Sequence, residues 1–271
     1  MSKWLTLALS ITVLCGFMSA NDALSVDRSA LVAYWSFDKG AGQTVDDDSG
    51  NGHEGKIMAK ANWAKEGKIN GGMSFNSAGA FIDVASDENL DPQEDDWTIE
   101  LWLKRAESAN NDWQVMVANY DIPPGWIGYR LDIGPGSIVN FIFGTGEAAK
   151  IELKTVTTIK DTDWHHLAAV AHRDGDALVY IDGEPDDTKM SIKHIKGKKV
   201  TAEHNLEIGR CYWCGGGATL GFNGILDEIK LWRAALTQEE VKLSMIGKLG
   251  AAVSDEEALP ITWGRLKYNM K

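Results

Sequence analysis

The sequence predicts an all-β protein: a two-sheet antiparallel β-sandwich of the jelly-roll type with one short C-terminal helix. Three observations carry this. Short alternations of apolar and polar residues recur along most of the chain, the period of half-buried strands. Turns rich in Gly, Asn and Asp separate them, and many short strands at such spacing close into sandwiches or barrels. A single stretch reads as helix, TQEEVKLSMIGK (237–248), with Thr237 and Glu240 at capping-box spacing. The 271 residues suffice for one large β domain.

Taken in order, LVAYWSF (31–37) sets Leu31, Ala33, Trp35 and Phe37 against Val32, Tyr34 and Ser36. AGQTVDDDSGNGHEG (41–55) is a loop dense in Asp, Gly and Asn. GGMSFN and AFIDVA follow, with a Ser-Ala-Gly turn between them. WTIELWLKR (97–105) alternates cleanly, and Trp102 is out of phase with Ile99 and Leu101, so it faces the other side of its sheet. WQVMVANY, IGYRLDIG, SIVNFIFG and IELKTVTTI continue the series. WHHLAAVAHRDGDALVYIDGE (164–184) is a hairpin turning at Asp174-Gly175. NLEIG is a further strand, and GFNGILDEIKLWRAAL (221–236) the last. In that last strand Asp227 shares the register of Ile225, Ile229 and Leu231, which predicts a carboxylate on the buried face. An unpaired carboxylate there is costly, so something must neutralise it.

The first residues run from Lys3 through an apolar stretch, Trp4 to Met18, to small residues. This is the order of a secretory signal peptide, expected to span residues 1–23 with cleavage after Ala20 or Ala23. The apolar run is short for a bilayer span, and Leu14 is too bulky for lipid attachment at Cys15. The expectation is a secreted, cell-surface or periplasmic protein without membrane insertion. The net charge of −12 repels phosphate backbones and argues against nucleic acid as a partner, while it suits cations. Residues 250–271 form a polar tail of no assigned role.

Four stretches, in order between about residues 30 and 248, resemble the laminin-G-like, concanavalin A-like lectin/glucanase jelly rolls of exported proteins. They are LVAYWSFDKGAGQTVDDDSGNGHEGKI, WTIELWLKR, WHHLAAVAHRDGDALVYIDGE and FNGILDEIKLWRAALTQEEV. The resemblance assigns residues 24–249 to one such domain. It implies a sandwich of twelve or more strands, often with one calcium ion, that binds glycans or surface proteins. It also implies an ion site between the terminal strands. Asp227 and Asp38 would meet there, with carbonyls of the 41–55 loop and the Asn51 side chain, and the calcium would be structural. The alternative for Asp227 is pairing with backbone N–H groups or with an arginine such as Arg233.

Catalysis is not expected. A retaining glycosidase needs two carboxylates about 5 Å apart across the scissile bond. Glu94, Asp96 and Glu100 have too long a final gap, and the first two precede the alternation that starts at Trp97. His165 and His166, beside Asp163, read as strand residues that pack and hydrogen-bond inside the sandwich, because no nucleophile motif accompanies them. Cys211 and Cys214 in CYWC could be a redox pair, half of a zinc site or a disulfide. No helix start in a βαβ setting supports the first, and His194 and His204 are isolated candidates for the second. A local disulfide that fixes Tyr212 and Trp213 is the best reading. Trp113, Trp126, Tyr212 and Trp213 lie in or beside loops, where sugars stack on ring faces and amphipathic rings suit protein partners. With Arg130 and Arg210 as polar partners, they form the predicted ligand surface. The expected function is an exported, non-catalytic module binding carbohydrate or a glycoprotein surface. The alternatives are a protein-adhesion or assembly domain and, behind it, a glycan hydrolase or lyase.

Overall fold

The computed structural model describes residues 26, 28–76, 79–107, 112–121, 125–146, 150–214 and 220–249. The expected signal peptide, with Cys15, and the tail from 250 to 271 lie outside the described residues. The first strands are β1 (Leu31–Trp35), β2 (Thr44–Val45), β3 (Gly55–Met58), β4 (Asn62–Ala64), β5 (Gly72–Asn76) and β6 (Phe81–Val84). Next come β7 (Trp97–Arg105), β8 (Gln114–Asp121), β9 (Ile127–Gly134), β10 (Ile138–Thr145) and β11 (Lys150–Thr158). The series ends with β12 (Trp164–Ala171), β13 (Asp176–Ile181), β14 (Glu184–Ser191), β15 (Leu206–Ile208) and β16 (Asn223–Trp232), then helix α1 (Gln238–Met245). Two antiparallel sheets result. One has the order β14-β13-β12-β7-β16-β5-β4, with β1 also paired to β16; the other runs β11-β10-β9-β8-β15-β6-β3-β2. Their inner faces share one core, built on residues such as Trp35, Phe75, Ile99, Leu101, Tyr129, Phe141, Leu226 and Ile229. The expected hairpin forms in register, with Leu167 opposite Ile181 and Ala171 opposite Ala177. Thr237 and Glu240 make the reciprocal capping box at the start of α1.

The first sheet is covered on both faces. Helix α1 lies over its outer side, where Val241 and Leu236 pack with Leu31, Val170 and Trp232. Glu100, 0% exposed, is enclosed there. It accepts from Trp232 Nε1 at 2.8 Å and from the Ser244 hydroxyl of α1. His166 Nε2 lies 3.5 Å away and Lys230 Nζ 3.7 Å away. Burial pushes the Glu100 carboxyl up, but Lys230, His166 and Ser244 outweigh it and hold it down at about 2. Trp102 faces this side, as expected, with its ring 5.2 Å from that of His166. His166 is thus a buried structural residue, while His165 bonds Asp161 and Asp182 near the surface.

The last strand departs from the alternation expected of it. A bulge interrupts the β16–β7 register between Asp227 and Lys230, and Glu228 there has φ +53°. Before the bulge Leu226 points into the core; after it Ile229 and Leu231 do. Asp227 therefore lies opposite Trp102 on the outer face, not in line with Ile229 and Leu231. It is nonetheless 0% exposed, because the 67–71 segment folds over it. The same bulge is where β16 changes neighbours: residues 223–226 pair with β5 and residues 229–232 with β1. At this gap in the ladder the Asp227 carboxylate takes the place of backbone acceptors. Its Oδ2 accepts from the N–H groups of Lys68 (2.7 Å) and Ile69 (2.9 Å), and its Oδ1 from Glu228 N–H (2.9 Å). Burial raises its carboxyl to about 7, against the pull of these three donors. Asp38 holds the other end of the same segment, accepting from Gly71 N–H (3.2 Å) and Asn70 Nδ2 (2.9 Å).

The acid-rich loop has a comparable task along β1. Asp47 accepts from the N–H groups of Tyr34 and His53, and Asp48 from the N–H and the hydroxyl of Ser36. Asn51 donates to the carbonyls of Leu31 and Val32, 2.9 Å each. These side chains satisfy the edge of β1 that no strand covers. Of the expected calcium ligands, Asp38 and Asp227 are therefore brought to one segment, while Asn51 is turned with its donor nitrogen to β1. As the side chains stand, the set does not assemble around a cation: Asp227 takes three N–H donors and Asp38 two, and Asn51 presents its donor nitrogen to β1. Among the described residues no group of three acids, histidines or cysteines could hold a metal ion. Arg233, the other suggested partner, instead bonds Asp95 and the Asn89 carbonyl.

Two outcomes follow. Asp227→Ala, which leaves three buried donors without an acceptor, lowers stability in urea denaturation by about 2–4 kcal/mol. The melting midpoint of the unaltered protein is then the same in calcium and in chelator; a calcium-dependent rise that Asp227→Ala abolishes would restore the ion. For Glu100, whose folded value lies below the ordinary 4.5, the contribution is complete above about pH 4.5. It is lost as pH falls toward 2, about 3 kcal/mol in all. A urea series over that range in the unaltered protein and in Glu100→Gln measures it, and equal acid slopes would contradict it.

Candidate functional site

The outer face of the second sheet carries the candidate site. On β6 the alternation turns Ile82 and Val84 into the core and leaves Phe81 and Asp83 outward; on β15 Leu206 and Ile208 face in and Glu207 out. Beyond β15 the chain turns back over this face through Arg210 to Cys214. Together they enclose an open cleft of about 400 Å³, whose walls also include Glu203, His204, Asn205, Tyr212 and Trp213.

Its architecture rests on Glu207, a buried carboxylate. Oε1 accepts from Arg210 Nε (2.9 Å) and Nη2 (2.6 Å), and Oε2 from the backbone N–H of Tyr212 (2.6 Å). Arg210 is thereby laid flat on Phe81, 3.1 Å from its ring centroid. Cys211 and Cys214 form the expected disulfide, with Cα atoms 5.4 Å apart. The sulfurs are buried against Val115, Ala118, Tyr120 and Ile142, with Trp126 and Leu220 at the margin. With both cysteines turned inward, the two residues between them are held out: Tyr212 is 50% exposed and Trp213 44%. Their rings meet nearly at right angles, 83° apart with centroids at 5.2 Å. His204 stacks on Trp213 at 4.0 Å and 7°, and is itself held by Asp121 at 3.2 Å. Asn205 bridges Asp83 and the Ser86 N–H.

The predicted ligand residues thus divide. Arg210, Tyr212 and Trp213 come together in the cleft. Trp113 and Arg130 meet elsewhere on the same face: the Arg130 guanidinium lies 5.4 Å from the Trp113 ring and 5.7 Å from Tyr120. Arg130 is buried and bonded to Asp132 (2.6 Å), which also accepts from Asn140 (2.9 Å). Burial raises the Asp132 carboxyl to about 6. This arginine is committed to its own sheet rather than turned to a ligand. Trp126 lies under Lys150, 4.2 Å from its ring, and supports the disulfide. Phe81, Asp83, Glu203, His204, Asn205 and Glu207 were not singled out from the sequence. The one local signal was Glu207, three residues before Arg210 on the outward phase of LEIGR.

The carboxylates weighed for catalysis do not form a pair at an open surface. Glu100 is enclosed under α1, and Asp96 accepts the Arg173 N–H at 2.6 Å.

Comparison with known proteins agrees with this architecture. No curated protein matches the chain. Among solved structures, the binding domain of Paraclostridial Mosquitocidal Protein 1 superposes with a TM-score of 0.66 at 18% identity, covering 80% of this chain and 52% of that one. The binding domain of botulinum neurotoxin DC is similar in its complex with rat synaptotagmin II (TM-score 0.60, 11% identity) and in that with SialylT (0.63, 11%). Each pair covers 82% of this chain and 52% of the toxin domain, so this chain spans about half the length of those structures. At such identities the likeness is one of fold. A laminin G family model, described as the concanavalin A-like lectin/glucanases superfamily, matches residues 76–242. The chain belongs to the concanavalin A-like lectin/glucanases superfamily.

Proposed function

We propose that this protein is an exported, non-catalytic binding module that takes a carbohydrate, free or on a glycoprotein surface, at the Tyr212–Trp213 cleft. The observation that carries the reading is two half-exposed rings held at a right angle over a preformed cleft by a disulfide and a buried carboxylate. The half of each ring left exposed, beside the His204 stacked on Trp213, matches the C–H faces of sugars, and the surrounding polar groups can take hydroxyl hydrogen bonds. Because the rings are fixed beforehand, little conformational freedom is lost on binding. The related toxin structures are binding domains by description, one of them bound to SialylT, which supports recognition rather than catalysis. The complex of another with rat synaptotagmin II favours a protein surface as the second reading. The charge-apolar-small order of residues 1–23 supports export.

A glycan array followed by calorimetry tests the proposal. Trp213→Ala weakens binding of the selected glycan by about tenfold or more, as expected for a central aromatic contact, and shifts stability by less than about 1 kcal/mol. Trp113→Ala, in the neighbouring cluster, leaves affinity unchanged. The reverse ranking would move the site to the Trp113–Arg130 region.

A further inference from the structure

We infer that the cleft selects an amino sugar carrying free, protonated amines, and rejects sialylated or otherwise anionic glycans; this rests on the carbohydrate reading of the same site. The argument is one of charge and ring geometry. Asp83, Glu203 and Glu207 line the cleft, and Arg210 is the one arginine or lysine among the described residues that line it. That arginine is committed: its Nε and Nη2 both go to Glu207, and its guanidinium lies over the Phe81 ring and 5.5 Å from that of Tyr212. It offsets Glu207; Asp83 has Lys56 opposite it on β3 and takes the Asn205 amide on both oxygens, so Glu203 is the wall carboxylate turned to the solvent without such neighbours among the described residues. Asp121, on the far side of His204, adds a further carboxylate beside the Trp213 stack.

A ligand carboxylate entering here meets the like charge of Glu203, and the arginine of the cleft is already bonded to Glu207. A ligand ammonium meets the Glu203 carboxylate beside the exposed part of the Trp213 ring, the face that His204 does not cover, where charge and ring quadrupole act together. An amino sugar uses both parts of the cleft at once, its C–H face on Trp213 and its amine toward Glu203 or Asp83. The net charge of −12 over the whole chain favours approach of the same class of ligand.

The test is calorimetric titration, at mildly acidic pH and at low and high salt, with four probes: fully de-N-acetylated chitotriose, its N-acetylated counterpart, sialyllactose and trilysine. The expected result is tightest binding of the de-N-acetylated sugar, weakened by salt, with sialyllactose unbound. Glu203→Gln, at an exposed position outside any strand, and Asp83→Asn each weaken that binding by up to about fivefold, the scale of one exposed ion pair. The N-acetylated sugar, which carries no ammonium, loses less affinity in Glu203→Gln than the de-N-acetylated one does. Equal binding of the two chitotrioses, with Glu203→Gln silent and Trp213→Ala damaging, overturns the charge selection and keeps the carbohydrate site. Trilysine binding as tightly as the amino sugar overturns it in favour of a basic peptide. Amino-sugar binding that survives Trp213→Ala overturns both this inference and the site itself.

Discussion

The gap in the ladder at Asp227 is the constraint around which the first sheet is assembled. Strand β16 is central, with β7 along one edge and two shorter strands, β5 and β1, sharing the other. Where one neighbour gives way to the next, backbone donors lose their strand acceptors, and an unpaired buried N–H is expensive. A carboxylate at that point accepts three of them, two from the segment that leads into β5 and one from the bulge itself. The cost of burying an acid is thus met by donors that would otherwise be orphaned, and neither an ion nor an arginine is needed to explain it. Loop residues 47–51 solve the matching problem along β1, whose second edge receives side chains in place of a strand.

Glu207 repeats this use of a buried carboxylate on the second sheet, with a different result. There the donors come from a turn that carries the exposed rings, so the same chemistry that closes an edge in one sheet holds two aromatic side chains outward in the other. The disulfide contributes direction more than stability: a loop of this size gains little from closure, but with both sulfurs packed on β8 and β10 the intervening side chains are directed outward. Shape and charge of the cleft are therefore set by strands β6 and β15 and not by the turn alone.

Much of this was legible in the chain. IGYRLDIG and WTIELWLKR coincide with β9 and β7 residue for residue, since uninterrupted alternation fixes both extent and facing. The α1 cap and the Asp174-Gly175 hairpin follow from equally local rules. What failed was alternation carried through an interruption. One extra residue at a bulge exchanges the two faces, and Glu228, neither Gly nor Asn, gives no sign of its positive φ. Strand β14, EPDDTKMS, has no apolar face to announce it and pairs only at a sheet edge. At the site, Tyr212, Trp213 and the disulfide could be read from CYWC itself. The other walls come from β6, from β15 and from residues 203–205 just before it; the two strands are distant in sequence and neighbours only through sheet topology. Arg130 looked available because its partner Asp132, two residues on, shares its outward face, a pairing that a search for loop aromatics does not weigh.

A buried carboxylate, Glu207, shapes the proposed binding cleft through the turn it holds. Glu207→Gln tests it most directly, because the amide keeps the shape of the side chain while removing the charge that grips Arg210 and one of the acceptors that hold the turn. Affinity for the glycan selected by the unaltered protein and the melting midpoint are measured side by side. The account predicts a loss of about tenfold or more in affinity with the domain still cooperatively folded, the effect of misplacing a preorganised surface. Unchanged affinity in Glu207→Gln would contradict it.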